Sequence, residues 1–138
     1  MGATGPAGSG GSSGFAWMGS FVNAEDTATY YVAPTNTGAG LVPIQETAGV
    51  GVLYTPAACT VSSFTVHAVI QSGSGDTTTF IVRHNGSNTT MTCAAAAGSS
   101  CTDNTHTFSV LVNDTIEYSV TQTNGSPTLF YSTQLICH

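Results

Sequence analysis

Glycine at every third position is the feature that most restricts what the first segment of this chain can form. Five glycines keep this spacing, in the triplets GAT-GPA-GSG-GSS-GFA: Gly2, Gly5, Gly8, Gly11 and Gly14. Three polyproline-II chains can wind around one axis only when each third residue is glycine, because no larger residue fits there. The spacing predicts the end of a collagen-like stalk over residues 1–16. A flexible Gly/Ser linker is the alternative, which GSGGSSG alone favours and the Thr and Pro of GATGPAG do not.

A stalk of this kind constrains the rest of the chain. Five triplets with a single proline are too few to hold a triple helix alone, and helix nucleation is costly. We therefore expect the segment to end a longer stalk, and residues 17–138 to form a head that holds three chains in register. No signal-peptide pattern follows Met1, so we expect the sequence to begin within a longer protein.

The composition of the head favours an extracellular, uncharged surface. Only 6% of the residues are charged, against about a quarter in typical domains. The net charge is −6 and Arg83 is the one Lys or Arg, so the chain lacks the cations that bind nucleic acid or an anionic membrane. No apolar run approaches the ~20 residues that span a bilayer. We predict neither nucleic-acid binding nor membrane insertion.

Alternating short strands predict an all-β fold. For example, Ile116, Tyr118 and Val120 alternate with polar residues, which places them on one face of a strand. The dipeptide Asn85-Gly86 predicts a type I′ hairpin turn between two such runs. The predicted strands are 17–23, 28–33, 49–55, 59–70, 77–84, 88–94, 105–112, 115–123 and 128–137. Their number and spacing predict an antiparallel β-sandwich, specifically a jelly roll.

The four cysteines predict two disulfides. No two of them form a C-x-x-C pair, so neither a zinc ribbon nor a thioredoxin motif is present. Four cysteines allow three pairings. We favour Cys93–Cys101, which closes the loop AAAAGSS, together with Cys59–Cys137, which ties an early strand to the last. Free buried thiols are the alternative.

A longer pattern carries a family resemblance. The string TFIVRHNGSNTTMTC is followed by CTDNTHTFSVLVNDTIEYSVT. Together with the preceding Gly-X-Y tract, it resembles the C-terminal jelly-roll heads of bacterial and phage collagen-like proteins, such as tail-fibre tips and spore-surface filament proteins. More distantly, it is similar to the trimeric heads of complement and tumour-necrosis-factor proteins. The matching positions are Arg83, Asn85, Gly86, Cys93, Cys101 and Asp114. The resemblance covers roughly residues 60–137 and implies a homotrimer without identifying a ligand.

Aromatic residues are the candidates for contacts between subunits, because they are enriched at interface cores. We select five apolar residues: Tyr30, Tyr31, Phe130, Tyr131 and Leu135. The alternative for each is a place in the core of the sandwich.

Residues with the chemistry of a catalytic or metal site are few. His67 and His84 are candidates to face solvent from neighbouring strands, where three copies around an axis would hold an ion. Glu25-Asp26 is a weak Ca²⁺ candidate, since no EF-hand loop is present. Turn chemistry explains Asp76 and other aspartates. We predict no enzymatic activity and no cofactor, with a glycan hydrolase as a minor alternative.

The remaining prediction concerns the ligand. Hydroxyl-rich, uncharged surfaces suit sugars, which bind through hydrogen bonds and apolar stacking. Loops far from the stalk, around 72–76, 94–104 and 123–127, are the expected contact sites. Their candidate residues are Ser74, Asp76, Asp103, Asn104 and Asn124. We therefore expect a receptor-binding head on a cell, spore or virion surface, with a purely structural trimerising cap as the alternative.

Overall fold

The computed structural model describes residues 14–22, 27–36, 47–49, 51–70, 76–123 and 129–138. Strands make up most of these ranges, and they include no helix of the length and apolarity needed to cross a membrane. The strands are β1 (Phe15–Val22), β2 (Thr29–Val32), β3 (Leu53–Tyr54), β4 (Cys59–Ile70), β5 (Thr77–His84), β6 (Ser87–Ala96), β7 (Ser100–Asp103), β8 (Phe108–Val110), β9 (Thr115–Gln122) and β10 (Leu129–Cys137). The all-β prediction is confirmed.

The strands form two antiparallel sheets. Sheet A has the order β1-β10-β4-β7, and β8 pairs with the first residues of β4. Sheet B has the order β2-β9-β5-β6, and β3 pairs with the first residues of β9. Among the described strands, β5 and β6 are the one pair that is both consecutive and hydrogen-bonded. Every other pairing joins distant parts of the chain, so the fold depends on non-local contacts.

The two sheets pack face to face around an apolar core, which makes the domain a β-sandwich. In β6, Met91, Cys93 and Ala95 are buried while the residues between them are exposed. The alternation places one face of each sheet inside. Aromatic rings join the sheets in the core: the centroids of Phe64 and Tyr118 lie 5.0 Å apart. Burial of such rings and of the surrounding aliphatic side chains is the main stabilising contribution to the fold.

The hairpin predicted from Asn85-Gly86 joins β5 to β6. Both residues have positive φ, 49° for Asn85 and 76° for Gly86, as a type I′ turn requires. The Asn85 side chain also binds β9, since its Oδ1 accepts the backbone N–H of Thr115 at 2.8 Å. The turn therefore fixes the register of the hairpin and attaches it to the next strand of sheet B.

The region between the second and third cysteines differs from the prediction. The alanines of the predicted loop continue β6 as far as Ala96, and a turn then leads into β7, which periodicity did not reveal. Alanine has little β propensity, but Ala95 is completely buried between the sheets, where a small side chain fits. The predicted strands 49–55 and 105–112 are shorter in the structure, at Leu53–Tyr54 and Phe108–Val110.

Two disulfides lock the sandwich, and they are the two pairs favoured from the sequence. Cys93–Cys101 joins β6 of sheet B to β7 of sheet A. Cys59–Cys137 joins β4 to β10 within sheet A. Two disulfides in a chain of this size are typical of an oxidising, extracellular environment.

The two ends of the sandwich carry different parts of the chain. At one end, which we call the stalk end, Phe15 pairs with Cys137 and Thr60 exchanges backbone hydrogen bonds with His138. Residue 14 therefore enters the domain beside its last residues. At the other end, which we call the loop end, β4 finishes, β5 begins, β9 finishes and β10 begins. The loops around 72–76 and 123–127 were predicted to lie far from the stalk, and most of their residues lie outside the described ranges. The strands that flank them meet at the loop end.

Candidate interaction surface

The side of sheet A that points away from the core is an extended surface, which we call the outer face of sheet A. Its members are the residues that alternate with buried ones in β1, β10, β4 and β7 and that pair with one another across the sheet. They are Ala16, Met18, Ser20, Val22, Phe130, Ser132, Gln134, Ile136, Ser63, Thr65, His67, Val69, Ser100 and Thr102. None of these described residues is Asp, Glu, Lys or Arg, so this set of side chains carries no fixed charge.

Hydroxyl groups and apolar side chains share this face. Thr65 and Thr102 form a hydroxyl pair at 3.1 Å, and the His67 Nδ1 lies 2.6 Å from the Ser100 hydroxyl. Cross-strand pairs of this kind stabilise the sheet and leave its polar groups satisfied. Met18 nevertheless remains 64% exposed, as a large apolar side chain in water.

The apolar residues gather toward the loop end of the face. Val22, Phe130 and Val69 lie side by side on β1, β10 and β4. Val22 is buried and Phe130 is half-buried, whereas Val69 is 57% exposed. Val69 and the exposed part of Phe130 are therefore the apolar surface of this row that a partner molecule can cover.

A shallow groove crosses the centre of the face. It has a volume of about 150 Å³ and runs over β10, where the small side chain of Ser132 separates Met18 of β1 from His67 of β4. Thr65 and Gln134 complete its polar lining. The groove can accept one protruding side chain or a small polar ligand.

The outer face of sheet B has a different character, because it holds the one Arg of the chain. The Arg83 Nε lies 3.4 Å from Glu117 Oε1, and the guanidinium stacks over the Tyr31 ring, 4.8 Å from its centroid. Glu117 is only 1% exposed even though β9 points it away from the core. A carboxylate so buried requires a compensating cation or hydrogen bond.

The chain itself covers this charged cluster. The backbone N–H of Gly49 donates to Glu117 Oε2 at 2.9 Å, so the segment around residue 49 lies over β9. The Cβ of any residue replacing Gly51 would lie 3.3 Å from the Tyr31 carbonyl, which shows how closely this segment approaches the sheet. The outer face of sheet B is therefore partly closed by its own chain.

Asp114 organises the turn at the stalk end. Its Oδ2 accepts the Leu111 backbone N–H and lies 2.7 Å from the His84 Nε2, and its Oδ1 accepts an Asn85 amide proton at 2.9 Å. The Leu111 N–H, the Asn85 amide and the His84 ring lower the pKa of Asp114 to about 2. Asp114 thus has a structural role, joining the hairpin to the turn before β9.

Acid should weaken the domain through this carboxylate. Because its pKa in the folded state is below the ordinary value, its stabilising effect is complete above about pH 4 and is lost as the pH falls toward 2. We expect the urea midpoint of the wild-type protein to fall between pH 4 and pH 2, and that of Asp114→Asn to fall less over the same interval. Equal acid sensitivity of the two proteins would contradict this role. Asp103, whose pKa is also lowered, retains its own acid response in both.

Two of the residues predicted to contact a ligand have structural roles instead. Asp103 is 8% exposed and Asp76 is 1% exposed. The Asp103 carboxylate accepts the backbone N–H groups of Thr92, Thr105 and His106, which bind the edge of β6 to the loop after β7. Burial opposes ionisation, but these hydrogen bonds and the His106 ring hold the pKa of Asp103 well below its usual range. The prediction is wrong for both residues, because buried carboxylates that cap backbone groups are not presented to a ligand.

Of the other three predicted ligand residues, Asn104 is the one that the structure describes. Asn104 is exposed, as that prediction requires. It follows Asp103, which pairs with Phe64 in the middle of β4, so it does not lie at the loop end. Ser74 and Asn124 lie outside the described residues. The ligand hypothesis therefore rests on the segments between β4 and β5 and between β9 and β10, whose flanking strands meet at the loop end.

The residues predicted to contact other subunits do not share one surface. Tyr131 and Leu135 are 1% and 0% exposed and lie in the core of one chain, so for them the prediction is wrong. Tyr30 pairs with Val120 on the inner side of sheet B, and Tyr31 lies under Arg83 on its outer side. Phe130 alone belongs to the outer face of sheet A. Period-two alternation separates two faces of a strand, but it does not tell which of them is the core.

The two histidines considered for an axial ion are also separated. His67 lies on β4 of sheet A, whereas His84 lies on β5 of sheet B and is held by Asp114. They do not lie on neighbouring strands, contrary to the prediction. Among the described residues, no group of three or more His, Cys, Asp or Glu side chains is placed to hold a metal ion.

Comparisons with known proteins leave the family open. No protein-family model matches this chain, and a search of curated proteins finds no significant match.

Sequence reasoning did not identify the outer face of sheet A. Its signal was present in the polar and small residues that alternate along β4 and β10, but recognising the face required the pairing of β1, β10, β4 and β7.

Proposed function

We propose that this protein is the non-enzymatic, trimeric head of a collagen-like fibre, that it brings three stalk chains into register and that it presents its loop end to a receptor on a surface. The observation that carries the proposal is the position of residue 14. The Gly-X-Y tract leads directly into β1 at one end of a disulfide-locked sandwich, while the flanks of the predicted contact loops lie at the opposite end. The strand order, in which each sheet takes strands from both halves of the chain, supports the jelly roll expected from the resemblance.

The attachment of the stalk suits a head that bears load. β1 pairs with β10 over eight residue pairs, from Phe15 with Cys137 to Val22 with Phe130. A force on the stalk along the strand direction loads all of these hydrogen bonds together, because they lie perpendicular to the strands. The bond Cys59–Cys137 then links β10 covalently to β4, in the middle of sheet A.

The stalk function is tested by refolding. The tract is lengthened upstream with ten Gly-Pro-Pro triplets, with and without the head, and triple-helix recovery after heating is followed by circular dichroism. We expect recovery with the head to be faster and independent of chain concentration, because three chains are already held together. Equal, concentration-dependent recovery of the two stalks would contradict the proposal.

The receptor function is tested separately. The full chain is applied in multivalent form to a glycan array and to whole cells. We expect it to bind at least one class of sugar through its loop end. If it binds no sugar and no cell surface while the stalk still refolds rapidly, the head is a structural cap. The burial of Asp76 and Asp103 favours this second candidate, because buried carboxylates stabilise the fold and are not available to a ligand.

A further inference from the structure

We infer that the outer face of sheet A is the surface through which copies of this chain associate. The inference rests on the proposed trimer and names its interface, which neither the sequence pattern nor the comparisons assign. The occupant of the face is a second copy of the chain. Three independent features support this choice: the distribution of charge, the entry point of the stalk and the chemistry of the face.

Charge is the first feature. Each chain has a net charge of −6, so three copies repel one another unless their acids lie away from the contact. The described acids do so. Asp76 is buried toward the loop end, Asp103 is buried at the edge, Asp114 lies at the stalk end and Glu117 lies on sheet B. Among the described residues, the outer face of sheet A is therefore left without fixed charge.

The entry point of the stalk is the second feature. In a triple helix the three chains share one axis, so the three copies of Gly14 must approach it together. Gly14 precedes β1, which belongs to sheet A. Association through sheet A brings the three stalks toward the axis, whereas association through sheet B places a second layer, ~10 Å thick, between each stalk and the axis.

The chemistry of the face is the third feature. Met18 and Val69 are exposed apolar side chains on a surface that is otherwise neutral and hydroxyl-rich. Four strands of about eight residues give roughly 500 Å² in projection, from a strand spacing of ~4.8 Å and a rise of ~3.4 Å per residue. This is the scale of one partner's share of a standard interface, ~800 Å². The centre of sheet B differs, because the Gly49 N–H and the Arg83 side chain lie against the buried carboxylate of Glu117 there.

The main test introduces a charge on the outer face of sheet A and compares it with a matched control. Met18→Glu and Val69→Glu each place a carboxylate on the proposed interface, and Ala94→Glu places the same group on the exposed outer side of β6. Light scattering at a series of concentrations measures association, and near-ultraviolet circular dichroism verifies folding. We expect the first two variants to associate about 100-fold more weakly, because an unpaired charge becomes buried. We expect Ala94→Glu to behave as wild type.

A second measurement uses the unmodified chain. Met18 is 64% exposed in a single chain, whereas Met91 is completely buried. Peroxide oxidation, read by peptide mass spectrometry, should modify Met18 rapidly in dilute solution and slowly where the chain is associated. Met91 should resist at all concentrations.

The outcomes separate the inference from the function on which it rests. A wild-type trimer that the two surface variants dissociate, with Met18 protected, supports both. A wild-type trimer that persists in both variants, with Met18 oxidised equally at every concentration, overturns this interface and leaves the trimer intact. A wild-type monomer overturns the proposed function and the interface together.

Discussion

Removing the bond Cys59–Cys137 should lower the free energy of unfolding by about 4 kcal/mol, whereas removing Cys93–Cys101 should lower it by about 2.5 kcal/mol. The difference follows from the length of chain that each bond closes, which is 78 residues in the first case and 8 in the second. A longer closed loop restricts the unfolded chain more strongly. The measurement is urea unfolding of Cys59→Ala/Cys137→Ala and Cys93→Ala/Cys101→Ala at equal protein concentration, because association also contributes to stability.

The two pairs are matched controls for each other. Each contains one buried cysteine, Cys137 or Cys93, and one half-buried cysteine, so alanine removes similar packing from both. Mass spectrometry before and after reduction, with a shift of four hydrogens for two bonds, verifies the starting state. A greater loss on removal of the short bond would show that joining the two sheets stabilises the fold more than loop closure does.

Replacing Arg83 with Met should cost about 3 kcal/mol of unfolding free energy, one of the largest effects expected of a single substitution in this chain. The Glu117 side chain is 2% exposed and that of Arg83 is 13% exposed. Without the guanidinium, the carboxylate stays buried with the Gly49 N–H as its remaining described hydrogen bond. An unpaired buried charge is far more costly than a missing favourable contact.

A double-mutant cycle isolates the pair. Glu117→Gln alone should cost less than Arg83→Met, because the Arg that it leaves is more exposed than the Glu. The double variant Arg83→Met/Glu117→Gln should recover most of the loss, since neither side chain is then charged. If the double variant is as unstable as the sum of the single variants, the two side chains do not interact, and the assignment of Arg83 to Glu117 is incorrect.

Local sequence patterns predicted those parts of the fold that depend on neighbouring residues. The Asn85-Gly86 turn, with its two strands, follows from backbone preferences that act within four residues. The all-β class follows from period-two alternation. The strand β7 was missed because Ser100–Asp103 is short and follows alanines, and it is a strand because β4 offers it a partner.

The surfaces of the molecule could not be predicted in the same way. Tyr131 and Phe130 are adjacent aromatic residues, yet one lies in the core and the other on the outer face of sheet A. Which of the two points inward depends on the register between β10 and β4, which joins residues about 60 positions apart. The same applies to Asp103, whose cap on Thr92 joins two sheets and has no local signature.

Sedimentation equilibrium of the 138-residue chain is the most direct test of the central claim. If three copies associate through the outer face of sheet A to hold their stalks in register, the measured mass at neutral pH will be three times the 14.0 kDa of one chain. A mass of 14.0 kDa at every concentration would contradict the account.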